Sequence, residues 1–168
     1  MIVPRPVLRA YWAMHKAVDR ISGGRLSTYR PTAKRLGVLF LTTTGRRSGE
    51  PRRNGLFFVE SGQDLVVVAS NAGAAADPGW WLNLRANPAA IVELRGRSIP
   101  VRAREAADDE RAPLWAEFVR RDQKFAEYEQ ATGRRIAVVV LSREKRAGAK
   151  EPSQTAPRNG SAGPPVGP

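Results

Sequence analysis

Short blocks of apolar residues along the chain predict about six β-strands. Residues 36–44 form the clearest block, because an apolar and β-branched run of this length is typical of a buried strand. Ser61, Gly62 and Gln63 separate two further blocks and predict a hairpin turn between them. The other predicted strands cover residues 54–60, 64–70, 90–95, 99–104 and 135–141.

Helices are predicted in the connections between these strands. Pro78 lies near the first turn of one short helix, which stops before Pro88. Two more helices are predicted over residues 109–121 and 124–131, with Asp108 as the N-cap of the first. We expect the core to contain Leu82, Leu84, Ile91, Val92, Leu94 and the valine runs 66–68 and 138–140.

An antiparallel β-barrel with helices packed outside it accounts best for this order of elements. Successive strands joined by short helices favour such a mainly β (α+β) fold over a doubly wound parallel sheet. The length of 168 residues suits one domain with a single core. We expect the barrel in residues 36–143, after an amphipathic helix and a basic connector in 1–35 and before a disordered tail in 144–168.

The predicted N-terminal helix covers residues 6–21, where apolar residues recur at helical spacing. Arg5, Arg9, Lys16 and Arg20 lie between the apolar residues. The apolar stripe has two interpretations, which the sequence leaves open. It packs on the barrel or covers a pocket as a lid, or else the helix rests on an anionic membrane surface through its basic residues.

The composition excludes several kinds of chemistry. The chain has no cysteine, so disulfides, thiolate catalysis, iron–sulfur clusters and cysteine zinc sites are ruled out. Its single histidine, His15, cannot form a multi-histidine site, and we expect no bound metal. Redox chemistry would therefore need an organic cofactor. Without an apolar run of about 18 residues or a signal-peptide pattern, we expect a cytoplasmic protein, at most peripheral to the plasma membrane.

The net charge of +12 is concentrated at the two ends of the chain. Residues 1–37 carry a net charge of +7 and residues 143–168 a net charge of +3, whereas residues 38–142 carry fifteen basic and thirteen acidic side chains. The excess of positive charge at the two ends predicts attraction to an anion such as phosphate or an anionic membrane. We expect no nucleic-acid partner, because aromatic residues are not interleaved with the central basic loop as base-stacking platforms.

A basic loop after the first predicted strand is the main candidate for a binding site. The stretch LTTTGRRSGEPRRNGLFF (41–58) places Arg46, Arg47, Arg52 and Arg53 within eight residues. Guanidinium groups pair with phosphate and carboxylate in a bidentate way, and threonine hydroxyls and turn N–H groups add donors. Four arginines so close together repel one another unless an anion offsets their charge. The loop therefore predicts an anion site.

The stretch from Leu36 to Leu141 resembles the deazaflavin-dependent nitroreductase family, the F420H2-dependent quinone and nitro reductases of actinobacteria. Four blocks match in order: LTTTGRRSGEPR, LVVVASNAGA, DPGWWLNLRANP, and RRIAVVVL after a helix beginning DDERAPLW. The resemblance implies the split β-barrel of flavin-binding proteins, in agreement with the strand count. It also implies coenzyme F420, a deazaflavin, as the cofactor.

The resemblance also implies roles for individual residues. The arginines of the basic loop fall where the family binds the phosphate and γ-glutamyl tail of the coenzyme. Ala69, Ser70 and Asn71 would face the deazaflavin ring, and the block containing Pro78 and Asn83 would line the ring and the linker to the phosphate. The complete coenzyme set is Thr44, Arg46, Arg47, Arg52, Arg53, Asn54, Ala69, Ser70, Asn71, Pro78, Gly79, Trp80 and Asn83.

The expected acceptor side of the site departs from the family. Members that reduce nitroimidazole prodrugs carry several tyrosines there, whereas this chain has Phe57, Asp122, Phe125 and Tyr128 at the matching places. Only Tyr128 keeps a hydroxyl, so it is the candidate proton or hydrogen-bond donor. A nitro group would lose donors and Asp122 would repel a developing anion, so nitroreduction is not expected.

These residues favour an oxidoreductase that transfers a hydride from C5 of the reduced deazaflavin to an apolar acceptor such as a quinone. The cofactor supplies the chemistry, so no protein nucleophile is required. The alternative is a monomeric protein that binds or stores F420 without turnover. An FMN-binding or haem-binding protein on the same fold is disfavoured by the arginine cluster. We expect a monomer in either case.

Overall fold

The computed structural model describes Met14 and residues 27–144, in which six strands close into a barrel accompanied by three helices. Apart from Met14, the predicted N-terminal helix lies outside the described residues, as does the predicted tail beyond residue 144. The strands are β1 (Gly37–Thr44), β2 (Pro51–Ser61), β3 (Asp64–Val68), β4 (Ala89–Leu94), β5 (Arg97–Glu105) and β6 (Val138–Arg143). The helices are α1 (Gly79–Ala86), α2 (Asp108–Arg121) and α3 (Lys124–Thr132), and Asn71–Gly73 forms a 3-10 turn.

The strands follow the order β1-β2-β3-β6-β5-β4 around the barrel, and every neighbouring pair is antiparallel. Pairing of β1 with β4 closes the ring, which leaves no open strand edge. The prediction of an antiparallel barrel in an α+β fold is therefore confirmed. Helix α1 lies between β3 and β4 in the chain, and α2 and α3 lie between β5 and β6.

Two tight turns join consecutive strands. Ser61 pairs with Asp64 across the two-residue loop that begins with Gly62, at a φ of 59°. In the β4–β5 hairpin both central residues, Arg95 and Gly96, have positive φ (53° and 73°). Positive φ at both positions matches the twist of the flanking strands, which is why such turns dominate two-residue hairpins.

Apolar side chains form two cores, one on each side of the barrel wall. The valine runs of β3 and β6 are buried on both faces, because alternate residues contribute to different cores. The interior core includes Leu39, Leu41, Phe58, Leu65, Val67, Val92, Val139 and Leu141, with Trp80, Trp81 and Leu84 from α1. The outer core packs Val59, Val66, Val68, Val138 and Val140 against Leu114 and Phe118 of α2 and Phe125 and Tyr128 of α3.

Two core predictions are wrong. Ile91 is 40% exposed, because β4 alternates and turns Ala90, Val92 and Leu94 inward instead. Leu82 is only half-buried, whereas Trp80, Trp81, Asn83 and Leu84 of α1 are buried. Both errors come from counting apolar residues without first fixing which face of the element meets the core.

Some predicted boundaries also shift. Ala107, in extended conformation, is the N-cap of α2, so Asp108 lies in the first turn and pairs with Arg135. Strand β6 begins at Val138, three residues later than predicted, because a side chain of α3 takes a backbone hydrogen bond from the residues before it. Glu129 accepts from the backbone N–H of Ile136 at 3.2 Å, which fixes that segment against α3.

The segment before β1 packs on the barrel. Tyr29 and Val38 exchange two backbone hydrogen bonds of 3.0 and 2.9 Å. The hydroxyl of Thr28, a buried residue, accepts from the backbone N–H of Arg95 at 2.7 Å and so ties this segment to the β4–β5 turn. No helix among the described residues is long and apolar enough to cross a membrane.

Candidate functional site

The loop between β1 and β2 is a compact turn held by its own backbone and by Ser48. Gly45 donates its N–H to the carbonyl oxygen of Glu50 (2.8 Å), and Gly49 donates to the carbonyl oxygen of Gly45 (2.7 Å). The Ser48 hydroxyl accepts from the N–H of Glu50 at 3.3 Å and from Nη2 of Arg52 at 3.2 Å. The turn therefore fixes the position of the Arg52 guanidinium.

Asn83 of α1 connects this loop to the barrel. Its side-chain oxygen accepts from the backbone N–H of Arg46 at 3.2 Å and from Nη1 of Arg46 at 3.3 Å. Its side-chain nitrogen donates to the Thr43 hydroxyl at 3.1 Å, and Asn83 is 6% exposed. Both ends of the carboxamide are thus engaged, so Asn83 holds the arginine loop in place on α1.

Strand alternation separates the predicted arginines. Arg52 and Asn54 share one face of β2 and line the cleft described below. Arg53 points the other way, so the prediction that it joins the same site is wrong. It forms an ion pair with Glu93 of β4 (Nη2 to Oε2, 2.6 Å), and its guanidinium lies 3.6 Å from the ring centroid of Phe40.

Arg134, which the sequence analysis missed, holds the loop between β3 and α1. Its Nη2 donates to the carbonyl oxygens of Ala69 (2.8 Å) and Ser70 (3.3 Å). Its Nε donates to the carbonyl oxygen of Ala74 (3.3 Å), and its Nη1 pairs with the carboxylate of Asp77 (2.9 Å). Arg134 is the first residue of the block RRIAVVVL, but that block gives no sign of the carbonyl oxygens that Arg134 binds, which come together only in the folded loop.

The same loop has an unusual backbone conformation. Asn71, Ala72 and Gly73 all have positive φ (48°, 51° and 77°), which is uncommon for residues with a side chain. The Asn71 amide nitrogen donates to the carbonyl oxygen of Ala76 at 2.9 Å and closes the loop. At Gly73 an added Cβ would lie 3.1 Å from Cδ1 of Tyr128, so a close approach to α3 favours glycine there.

A cleft of about 940 Å³ opens between the arginine loop, the β3–α1 loop and α3, in the usual size range of cofactor sites. It brings together fourteen predicted residues: Arg46, Arg47, Arg52, Asn54, Phe57, Ser70, Asn71, Pro78, Gly79, Trp80, Asn83, Asp122, Phe125 and Tyr128. Thr44 is exposed outside it and Ala69 is buried in the interior core, so neither side chain lines the cleft as predicted.

Six lining residues were not predicted: Gly45, Ser48, Gly55, Leu56, Val68 and Ala72. Alternation along β2 could have identified Leu56, which follows Asn54 by two residues on the same face. Trp80 lines the cleft while Trp81 packs only in the interior core, as the angle between adjacent helical positions requires.

The end of the cleft beside α3 is aromatic. The rings of Phe125 and Tyr128 lie 5.9 Å apart, edge to face, and Phe57 of β2 lines the same cleft. Burial raises the pKa of the Tyr128 phenol above its ordinary value, and the negative charges of Asp122 and Glu127 raise it further. Tyr128 therefore stays protonated at neutral pH and can donate a hydrogen bond.

Arg52 precedes Phe57 by five residues on β2, roughly 16 Å at the rise of a β-strand, so the opposite end of the cleft is strongly basic. Arg46, Arg47 and Arg52 lie together there, and no carboxylate among the described residues pairs with any of them. Three guanidinium groups that lack a carboxylate partner among the described residues are suited to a polyanion such as a phosphodiester with carboxylates.

Comparison with known proteins agrees with this geometry. The model of the F420H2-dependent quinone reductase family matches residues 12–143. The chain belongs to this family. An F420H2-dependent quinone reductase of Mycobacterium tuberculosis is 33% identical over 134 residues, which cover 77% of this chain and 88% of that protein. The chain is therefore an F420H2-dependent oxidoreductase, and its cofactor is coenzyme F420.

Solved structures give the same result for the fold of this reductase. A structure titled as an F420H2-dependent reductase, FDR-A, is 34% identical and matches with a TM-score of 0.58, over 62% of this chain and 93% of that one. A structure titled as a domain-swapped dimer is 29% identical, with a TM-score of 0.60 over 77% of this chain and 96% of that one.

The residues present fit the cofactor. Its tail carries several negative charges, and the guanidinium groups of Arg46, Arg47 and Arg52, which form no ion pair with a described carboxylate, meet this requirement. Its ring is planar, and the cleft offers Trp80, which is buried but lines the cleft, among its walls, with the aromatic end beyond.

Proposed function

We propose that this reductase transfers a hydride from F420H2 to a quinone-like acceptor that lies against Phe57, Phe125 and Tyr128. The observation that carries the proposal is the polarity of one continuous cleft, basic at one end and aromatic at the other. An anionic tail fits the first end and a planar apolar acceptor the second. The ring of the coenzyme would then lie between them, next to the acceptor.

The basic end would hold the tail of the coenzyme. Arg46, Arg47 and Arg52 would bind its phosphate and carboxylates through charge-assisted hydrogen bonds, which are stronger than neutral ones. Asn54 lies beside Arg52 on the same face of β2, and Asn83 orients Arg46. We therefore assign Asn83 a positioning role toward the coenzyme, rather than a direct contact alone.

The β3–α1 loop would hold the ring. Ser70 is right-handed (φ −68°, ψ −29°) and Asn71 left-handed, an alternation that points successive N–H groups to one side. None of the described residues accepts from the backbone N–H of Ser70, Asn71 or Ala72, and all three residues line the cleft. These donors suit the carbonyl edge of a heterocycle, with Pro78, Gly79 and Trp80 on the remaining wall.

Tyr128 would stabilise the acceptor as it is reduced. The bound coenzyme supplies a hydride from C5 of its ring, and the quinone takes this hydride and one proton to become a hydroquinone. One quinone oxygen gains negative charge before it is protonated. The neutral phenol of Tyr128 can donate a hydrogen bond to that oxygen, and solvent can supply the proton.

Oxidation of F420H2 by a quinone tests the proposal directly. Purified protein is mixed with F420H2 and a neutral naphthoquinone, and the return of the oxidised deazaflavin absorbance is followed, with reduced FMN in parallel. We expect turnover with F420H2 and little with FMN, which lacks the polyglutamate tail. Tight F420 binding without quinone-dependent oxidation would contradict the assignment of the acceptor.

The partners predicted from the sequence ends also remain a proposal. We propose a monomer whose basic residues Arg5, Arg9, Lys16 and Arg20 attract it to anionic membranes, where apolar quinones dissolve. Light scattering measures the mass of the protein in solution, and a domain-swapped dimer would contradict the proposed monomer.

Sedimentation with anionic vesicles tests the proposed membrane attraction. The control is a variant in which these four basic residues are replaced by glutamine.

A further inference from the structure

Asp122 gives the acceptor end of the cleft a fixed negative charge. It is the C-cap of α2, in extended conformation (φ −151°), and forms the short link to α3 with Gln123. Its backbone N–H donates to the carbonyl oxygen of Phe118 at 2.9 Å. Its Oδ1 accepts from the backbone N–H of Lys124 at 3.1 Å, so the carboxylate is held in one position.

No cation neutralises this carboxylate directly among the described residues. Its sequence neighbour Arg121 pairs with Glu117 and also donates to the carbonyl oxygen of Thr32. Lys124 contacts Asp122 through its backbone, and its ammonium group makes no ion pair within residues 27–144. The charge of Asp122 is therefore available to the cleft.

The field of Asp122 reaches the aromatic end. Burial is the largest cause of the raised pKa of the Tyr128 phenol, and the negative charges of Asp122 and Glu127 raise this pKa further. Four residues with formal charges line the cleft, Arg46, Arg47 and Arg52 at one end and Asp122 at the other. Once the coenzyme tail offsets the arginines, Asp122 is the remaining formal charge on this lining.

We propose that Asp122 selects the charge of the acceptor, so that neutral and cationic planar acceptors are reduced and anionic ones are rejected. This inference rests on the proposed function and specifies its substrate class. An unpaired charge that a wrong substrate must approach is a general means of discrimination. The aromatic rings of Phe57, Phe125 and Tyr128 act in the same direction, because ring faces attract cations and disfavour anions.

Asp122→Asn is a suitable test, because asparagine keeps the oxygen that accepts from Lys124 and removes only the charge. The control is Asp109→Asn on α2, where an exposed carboxylate accepts from the backbone N–H of Glu110 in the same way but does not line the cleft. Both variants change the net charge equally. Their thermal unfolding is compared with that of the unchanged chain to verify the fold.

The experiment uses three naphthoquinones of matched size that carry no charge, a sulfonate or a trimethylammonium group. The unchanged protein should have the highest kcat/KM for the cationic quinone and the lowest for the sulfonate. In Asp122→Asn the ratio of these two values should fall about tenfold at low ionic strength, with less change at high salt. The value for the neutral quinone should change less than the values for the two charged quinones, and Asp109→Asn should match the unchanged protein with all three.

Two outcomes would overturn the inference: a ratio that stays within twofold in Asp122→Asn, or an equal shift in Asp109→Asn. If F420H2 is not oxidised by any of the three quinones, the proposed function fails instead. Equilibrium dialysis of each quinone against protein with oxidised F420 still decides the inference in that case. The dissociation constant of the sulfonate should then be lower in Asp122→Asn by a similar factor.

Discussion

Arg134 and Asp77 form an ion pair of 2.9 Å between segments that lie 57 residues apart in the chain. The pair joins the start of the β6 segment to the end of the β3–α1 loop. Arg134 also donates to three carbonyl oxygens of that loop, so one side chain fixes the backbone around Ser70. A loop with three successive positive φ angles needs such support, because its conformation is otherwise unfavourable.

Replacing Arg134 with Met should lower the free energy of unfolding by about 2 kcal/mol, since buried carbonyls and a partly buried carboxylate lose their donor. F420 binding should weaken as well, because the loop that lines the ring pocket loses its support. Arg135→Met is the matched control. Arg135 pairs with Asp108 at the surface, where side chains 56% and 86% exposed contribute little. Urea unfolding measures the free energy of unfolding of both variants. An equal loss in Arg134→Met and Arg135→Met would contradict the role of Arg134.

The arginine end should determine coenzyme affinity. Replacing both Arg46 and Arg52 with Ala removes charge-assisted contacts of about 1.5–3 kcal/mol each, so the dissociation constant of F420 should rise at least about 100-fold. Arg53→Ala removes one positive charge from the opposite face of β2 and should change the dissociation constant of F420 little. Fluorescence titration at two salt concentrations measures these constants. An unchanged constant in the double variant would show that the tail binds elsewhere.

Asn83 should act through the loop that it holds. Asn83→Ala leaves the backbone N–H of Arg46 and the buried Thr43 hydroxyl without this partner, which should cost about 2 kcal/mol of stability and also weaken F420 binding. Asn87→Ala is the control, because Asn87 is exposed and accepts only from the N–H of Ala89 nearby. Thermal unfolding measures the stability of the two variants, and F420 titration measures their affinity for the coenzyme. A stability loss with unchanged affinity would limit Asn83 to folding.

The barrel and most of the cleft could be predicted because their signals are local. Apolar runs mark β1, β3 and β6, and the loop residues Arg46 and Arg52 stand out by charge and by resemblance to the family. The errors concern the direction of side chains. Arg53 was grouped with Arg52 although neighbours on a strand face opposite sides.

Other features depend on contacts that only the fold creates. Arg134 lies in the block RRIAVVVL, but its role follows from carbonyl oxygens more than fifty residues earlier in the chain. Ile91 looked like a core residue by composition, yet the register with β1 and β5 places it on the outer surface of β4. Sequence patterns give the faces of an element, and pairing decides which face is buried.

Tyr128→Phe should reduce turnover and leave coenzyme binding nearly unchanged. The variant keeps the ring that packs against Phe125 and Gly73 but loses the hydroxyl, so the fold should tolerate it. Loss of one donor to a developing oxyanion should lower kcat about tenfold or more. Stopped-flow oxidation of F420H2 by a neutral quinone gives kcat, and a titration gives the F420 affinity. An unchanged kcat would remove Tyr128 from the reaction.

The pH dependence of this effect follows from the direction of the Tyr128 pKa. Burial and the nearby carboxylates of Asp122 and Glu127 raise this pKa above its ordinary value of 10.0, so the phenol keeps its proton throughout the neutral and mildly alkaline range. The ratio of kcat between the unchanged protein and Tyr128→Phe should therefore stay constant up to pH 10 and decline only above it. The same shift stabilises the fold below pH 10 and is lost as the pH rises through the raised pKa. A ratio that already falls between pH 7 and pH 9 would mean that another group donates to the acceptor.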